Sequence, residues 1–63
     1  MTNFKVDFCL LTKNDFFYLT RVLKETTLVE ALNKAKQIAF SEYNDNIIAL
    51  KVYNDKQTIS VKF

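Results

Sequence analysis

The chain runs through 63 residues without a single glycine or proline. Average usage would place about 7% and 5% of residues in those two types. This restricts how the chain can turn. Every reversal must be made by Asn, Asp, Lys, Thr or Ser, which tolerate or locally hydrogen-bond a turn. It also removes whole classes of chemistry, because phosphate-cradling loops and dinucleotide fingerprints are built from glycine. Clusters of turn formers therefore mark the element boundaries. They fall at Thr12-Lys13-Asn14-Asp15, at Tyr43-Asn44-Asp45-Asn46 and at Asn54-Asp55-Lys56-Gln57.

Between these clusters the apolar pattern changes period. In Phe4–Leu11, Phe4, Val6, Phe8 and Leu10 take one parity and Lys5, Asp7, Cys9 and Leu11 the other, the period of a strand with one buried face. Phe16–Lys24 is also strand-like, but it is apolar on both parities. Phe16, Tyr18 and Val22 share one face, and Phe17, Leu19 and Leu23 share the other. In Leu28–Ala39, Leu28, Ala31, Leu32, Ala35, Ile38 and Ala39 recur at three and four, which gives a helix with a narrow stripe. Thr27 and Glu30 have the spacing of a capping box, and an Asn near 44–46 is expected to close the helix in the left-handed conformation. Asn46–Tyr53 reads as a third strand, with Ile48, Leu50 and Val52 opposite Ile47, Ala49, Lys51 and Tyr53. Thr58–Phe63 reads as a fourth.

The expected architecture is one α+β domain over residues 1–63. It is ββαββ, a four-stranded, mainly antiparallel sheet of order 2-1-3-4 with one helix packed on one face. A chain this short buries only about 60% of its unfolded surface, and its core supplies about 3–5 kcal/mol unless something staples it. One cysteine and no histidine rule out an internal disulfide and zinc-finger spacing. The lone thiol suits a reducing compartment. MTNFKVDF lacks the apolar run of a signal peptide and no later stretch approaches a membrane span, so a cytoplasmic location with no membrane contact is expected.

No constellation of catalytic residues emerges. Asp15, Asp45 and Asp55 sit in turns, Glu30 caps a helix, and Asp7 stands mid-strand facing outward. No two acids are spaced to share a buried site, and without histidine the common base–nucleophile pairs are missing. NDNIIALKVYNDKQ lacks the acidic spacing and the glycine of a calcium loop. The expectation is a protein that is not an enzyme and that holds neither cofactor nor metal.

One helix cannot cover a four-stranded sheet, so an apolar face should remain open. If Phe17, Leu19 and Leu23 face the helix, then Phe16, Tyr18, Val22 and Tyr53 lie on the open face, ringed by Lys5, Lys24, Lys51 and Lys62. The opposite parity would leave Phe17, Leu19, Arg21 and Leu23 outside. Such patches mark binding surfaces. The residues assigned to partner binding are Phe16, Tyr18, Arg21, Lys51 and Tyr53.

The segment Phe16–Tyr53 resembles small bacteriophage accessory and inhibitor proteins. It looks most like phage-encoded inhibitors of bacterial RNA polymerase, which carry a strand, a T-L-x-E-A-L-x-x-A helix and a strand. Here the helix reads Thr27-Leu28-Val29-Glu30-Ala31-Leu32-Asn33-Lys34-Ala35. This chain adds a C-terminal strand and carries Lys51 where the inhibitor's third strand bears arginine. A wider resemblance extends to anti-CRISPR and other anti-defence proteins. It implies an inhibitor that sterically masks a host bacterial protein or ribonucleoprotein complex in the host cytoplasm. The alternatives on the same face are a single-stranded nucleic-acid-binding module and a homodimeric structural protein.

Overall fold

The computed structural model describes all 63 residues, Met1–Phe63. Its elements are β1 (Thr2–Thr12), β2 (Asp15–Glu25), α1 (Leu28–Glu42), β3 (Ile47–Tyr53) and β4 (Thr58–Lys62). They form one sheet of order β2-β1-β3-β4 in which all neighbours are antiparallel. The α+β, ββαββ architecture expected from the sequence is the one observed.

The first hairpin pairs along its whole length, from Thr2 opposite Glu25 to Thr12 opposite Asp15, with no shift of register. Only Lys13 and Asn14 lie between its strands. A loop that short needs positive φ. Lys13 supplies it at 54°, where glycine would normally stand.

The core lies between the sheet and the helix. Phe4, Val6, Phe8 and Leu10 of β1 pack with Ile47, Leu50 and Val52 of β3 against Ala31, Ala35, Ile38 and Ala39 of α1. The alanines let the helix axis approach the large side chains of the central strands. Leu23, Leu28, Leu32, Tyr43 and Val61 complete the margin, and the Tyr43 ring tilts against Phe8 at 5.4 Å.

The helix begins where the sequence places it. Thr27 is its N-cap, and its hydroxyl accepts the Glu30 N–H at 3.2 Å. The second half of the box differs from expectation. The Glu30 carboxylate accepts the Thr27 hydroxyl at 3.2 Å instead of reaching back to a backbone N–H. The C-terminus also differs, because no Asn takes positive φ. Tyr43 caps the helix by donating its N–H to Ala39 O, and its own carbonyl accepts the N–H groups of Asn46 and Ile47. These bonds close the turn, so a left-handed residue is not needed.

β3 corrects the expected parity at its start. Leu10 pairs with Ile47 and Cys9 with Ala49, so Ile48 is an extra residue in a bulge. The bulge turns Ile47 into the core beside Leu10, whereas simple alternation put Ile48 with Leu50 and Val52.

Candidate functional site

Two lengths create the exposed surface. The hairpin strands have 11 residues each, about 36 Å at 3.3 Å per residue, which accounts for the 37 Å long axis of the molecule. The helix has 15 residues, about 22 Å. The half-buried residues of β2, Arg21, Leu23 and Glu25, lie toward its far end, so the hairpin tip receives little cover. β2 has no buried residue. Phe16, Phe17, Tyr18 and Leu19 are 60%, 50%, 72% and 41% exposed. The double-sided apolar run of β2 is therefore exposed on both faces.

Register places the open face residue by residue. Phe4 pairs with Leu23 and Phe8 with Leu19 on the helix side. The other side carries Lys5 opposite Val22, Asp7 opposite Thr20, Cys9 opposite Tyr18 and Leu11 opposite Phe16. β3 adds Tyr53 beside Lys5, Lys51 beside Asp7 and Ala49 beside Cys9. β4 adds Thr58, Ser60 and Lys62. Of the five residues assigned from sequence, Phe16, Tyr18, Lys51 and Tyr53 come together on this face. Arg21 does not. It pairs with Val6 on the helix side, where its guanidinium holds Glu42 at 2.9 Å. Hydrogen bonding to Glu42 raises its pKa further.

At the centre of the open face Asp7 is a shared acceptor. One carboxylate oxygen accepts the Thr20 hydroxyl at 2.8 Å and the Tyr53 hydroxyl at 3.2 Å. This ties three strands together and fixes the Tyr53 ring. Lys51 extends over that ring, with Nζ 5.0 Å from its centroid, within cation–π range. Desolvation, and then the charge and hydrogen bond of Asp7, push the Tyr53 phenol above its ordinary 10.0. Tyr18 is pushed up as well, first by side-chain hydrogen bonding with Cys9. Both rings are neutral at physiological pH.

The small side chains of Cys9 and Ala49 leave a shallow, open depression of about 340 Å³ between Tyr18, Lys51 and Lys62. A second groove, at the far end of the same face, is lined mainly by polar residues such as Asn3, Lys5, Asn54 and Lys56. Asp7 is the only acid on the strands of this face, and Asp55 lines the groove at its far end. Asp15 and Glu25 take the other parity of β2, Glu30 and Glu42 belong to the helix, and Asp45 and Asp55 lie in loops. The strands of the open face thus set Lys5, Lys24, Lys51 and Lys62 against one carboxylate that is already hydrogen-bonded twice.

Sequence reading placed Asp7 facing outward but missed its role as a hub, which exists only once Thr20 and Tyr53 are brought to either side of it. It also missed an aromatic pair on the helix side. Phe40 of α1 and Phe63 meet edge-on at 5.1 Å and stay half exposed. No side-chain cluster has the composition of a metal site, and no helix is long and apolar enough to cross a membrane. Comparison with protein-family models, curated proteins and solved structures finds no match for this chain.

Proposed function

We propose that this chain is a small non-enzymatic inhibitor that docks its open sheet face on a protein surface of a larger assembly and masks it. The observation that carries the reading is the grouping of Phe16, Tyr18 and Tyr53 with Lys51 on one uncovered face. Interface cores are enriched in aromatic rings, and a ring already fixed loses less freedom on docking, as Tyr53 is fixed by Asp7. The depression beside Tyr18 offers a seat for one protruding side chain of the partner. The resemblance to phage inhibitors supplies the class of target, a bacterial protein or ribonucleoprotein in the host cytoplasm. The mechanism is steric occlusion, which needs no cofactor or catalytic group.

A second reading has one observation in its favour. On the strands of the open face four lysines and three aromatic rings stand with one acid, and sheets that bind single-stranded nucleic acid combine stacking rings with a positive surround. Salt separates the two. Phosphate contacts release counterions, so affinity for a single strand falls with a slope near −0.7 per neutralised phosphate. A ring-anchored protein interface depends on salt far less.

The test is capture from bacterial lysate with and without nuclease, comparing the native chain with Tyr18→Ala/Tyr53→Ala. The reading expects a protein retained after nuclease treatment at physiological salt and lost with the double variant. Salt-sensitive binding of random single strands, with no protein recovered, would promote the nucleic-acid reading instead.

A further inference from the structure

The two edges of the sheet are unequal. β4 has five residues and ends on Lys62. β2 has 11 residues, pairs with β1 without a bulge, and carries no charged residue between Asp15 and Arg21. Natural edges are usually blunted by a lysine, a proline, a bulge or a covering element. The Phe16–Thr20 stretch has none of these.

Its free backbone groups can be assigned. The Leu11 N–H bonds to Asn46 O, on the β3 side. Backbone groups alternate in direction along a strand, so odd residues of β1 face β3 and even residues face β2. Even residues of β1 pair with odd residues of β2. Phe16, Tyr18, Thr20 and Val22 therefore present their N–H and C=O groups outward.

The side chains along this edge select an occupant. A two-fold axis through Tyr18 sets two β2 strands antiparallel with Tyr18 facing itself. Phe16 then faces Thr20, Phe17 faces Leu19, and Asp15 faces Arg21, each occurring twice. The outward-bonding residues Phe16, Tyr18 and Thr20 pair only with one another, as the ladder requires. Opposite charges meet across the strands, which stabilises such pairs. Sliding by two residues puts Asp15 against Leu23 instead, and sliding by four puts it against Glu25, a like-charge clash. The Arg21 guanidinium has five N–H donors, and its bond to Glu42 uses one nitrogen.

We propose that β2 is a homodimerisation edge, in which two copies of the chain join in this register into one eight-stranded sheet. The helix-side apolar residues Phe17 and Leu19 are covered by their counterparts, and two open faces lie side by side. The assignment rests on the edge alone and is independent of what the open face binds.

Sedimentation equilibrium over micromolar to millimolar concentration tests it, with circular dichroism to confirm folding. The native chain should move from 7.4 kDa to twice that mass. Thr20→Pro removes one outward N–H without touching the ladder to β1 and should stay monomeric. Thr20→Val, which loses only the hydroxyl, should dimerise like the native chain. Asp15→Lys and Arg21→Glu should each weaken the dimer about tenfold, and combining them should restore it. A native chain that remains at 7.4 kDa throughout would overturn the proposal. So would Thr20→Pro dimerising normally, or a double charge swap no better than either single change.

Discussion

The two strands of the first hairpin have the same length, pair residue for residue and are similarly rich in apolar side chains, yet their fates are opposite. β1 buries Phe4, Val6, Phe8 and Leu10, whereas β2 buries nothing. The difference lies in position. β1 has a neighbour on each side and the helix above it, while β2 has one neighbour and overhangs a helix about 22 Å long. An apolar residue therefore stabilises this fold only where the sheet order puts it under the helix. β2 carries more apolar surface than its place can use for folding, and that surplus is what a partner or a second copy can bury.

The largest test of this contrast is truncation of one ring on the helix side of each strand. Phe8→Ala opens a cavity beneath the helix and should cost about 3–5 kcal/mol. That is comparable with the whole stability of a domain of this size, so the chain should be unfolded by circular dichroism. Phe17→Ala, on the same face of the neighbouring strand but half exposed, should cost about 1 kcal/mol or less in dilute solution. Equal losses at the two sites would mean that the tip of β2 is covered within one chain.

Thr27→Ala probes the covered half from the helix side. Losing the hydroxyl that accepts the Glu30 N–H should cost about 1 kcal/mol and lower the melting temperature by several degrees. Lys13→Gly probes the overhanging half from its turn. A lysine at φ 54° carries a backbone strain that glycine relieves. Part of the gain is offset by the greater freedom of glycine in the unfolded chain. Thermal melting should show a small rise for this variant, where most substitutions in the core lower it.

Between the two halves stand the tyrosines of the open face, and pH reads them. The Tyr18 and Tyr53 phenols are both raised above the ordinary 10.0. A group whose folded pKa is raised contributes stability that is fully present below its unfolded value and is lost as pH climbs through the folded one. Melting temperature should therefore be insensitive to these groups up to about pH 10 and fall above it. Tyr53→Phe should flatten that fall while forfeiting the bond to Asp7. An identical alkaline slope in the variant would remove Tyr53 from the account.

The period of two in Phe4–Leu11 and the three-four spacing of Leu28–Ala39 made the core legible in the sequence, because each pattern can hide its apolar set in only one way. The turns were legible too, since a chain without glycine has few residues able to make them. Two features were not. The bulge at Ile48 depends on how two distant strands align, and local alternation cannot register an inserted residue. The Tyr43 cap depends on carbonyl bonds made after the helix ends. The position of Arg21 is legible, because its parity, opposite to that of Phe16 and Tyr18, puts it on the other face even though it stands in the same partner-binding set. The candidate site was legible as a set of rings and lysines. The Asp7 hub that organises them needed the register.

If the rings of β2 serve binding while those of β1 serve folding, one variant separates the two roles. Phe16→Ala/Tyr18→Ala should be measured by denaturant unfolding at a dilution where the chain is monomeric, and by retention of the nuclease-resistant protein partner. The expected result is an unfolding midpoint close to that of the native chain together with loss of the partner. A collapsed midpoint, or a stable variant that still holds its partner, would contradict it.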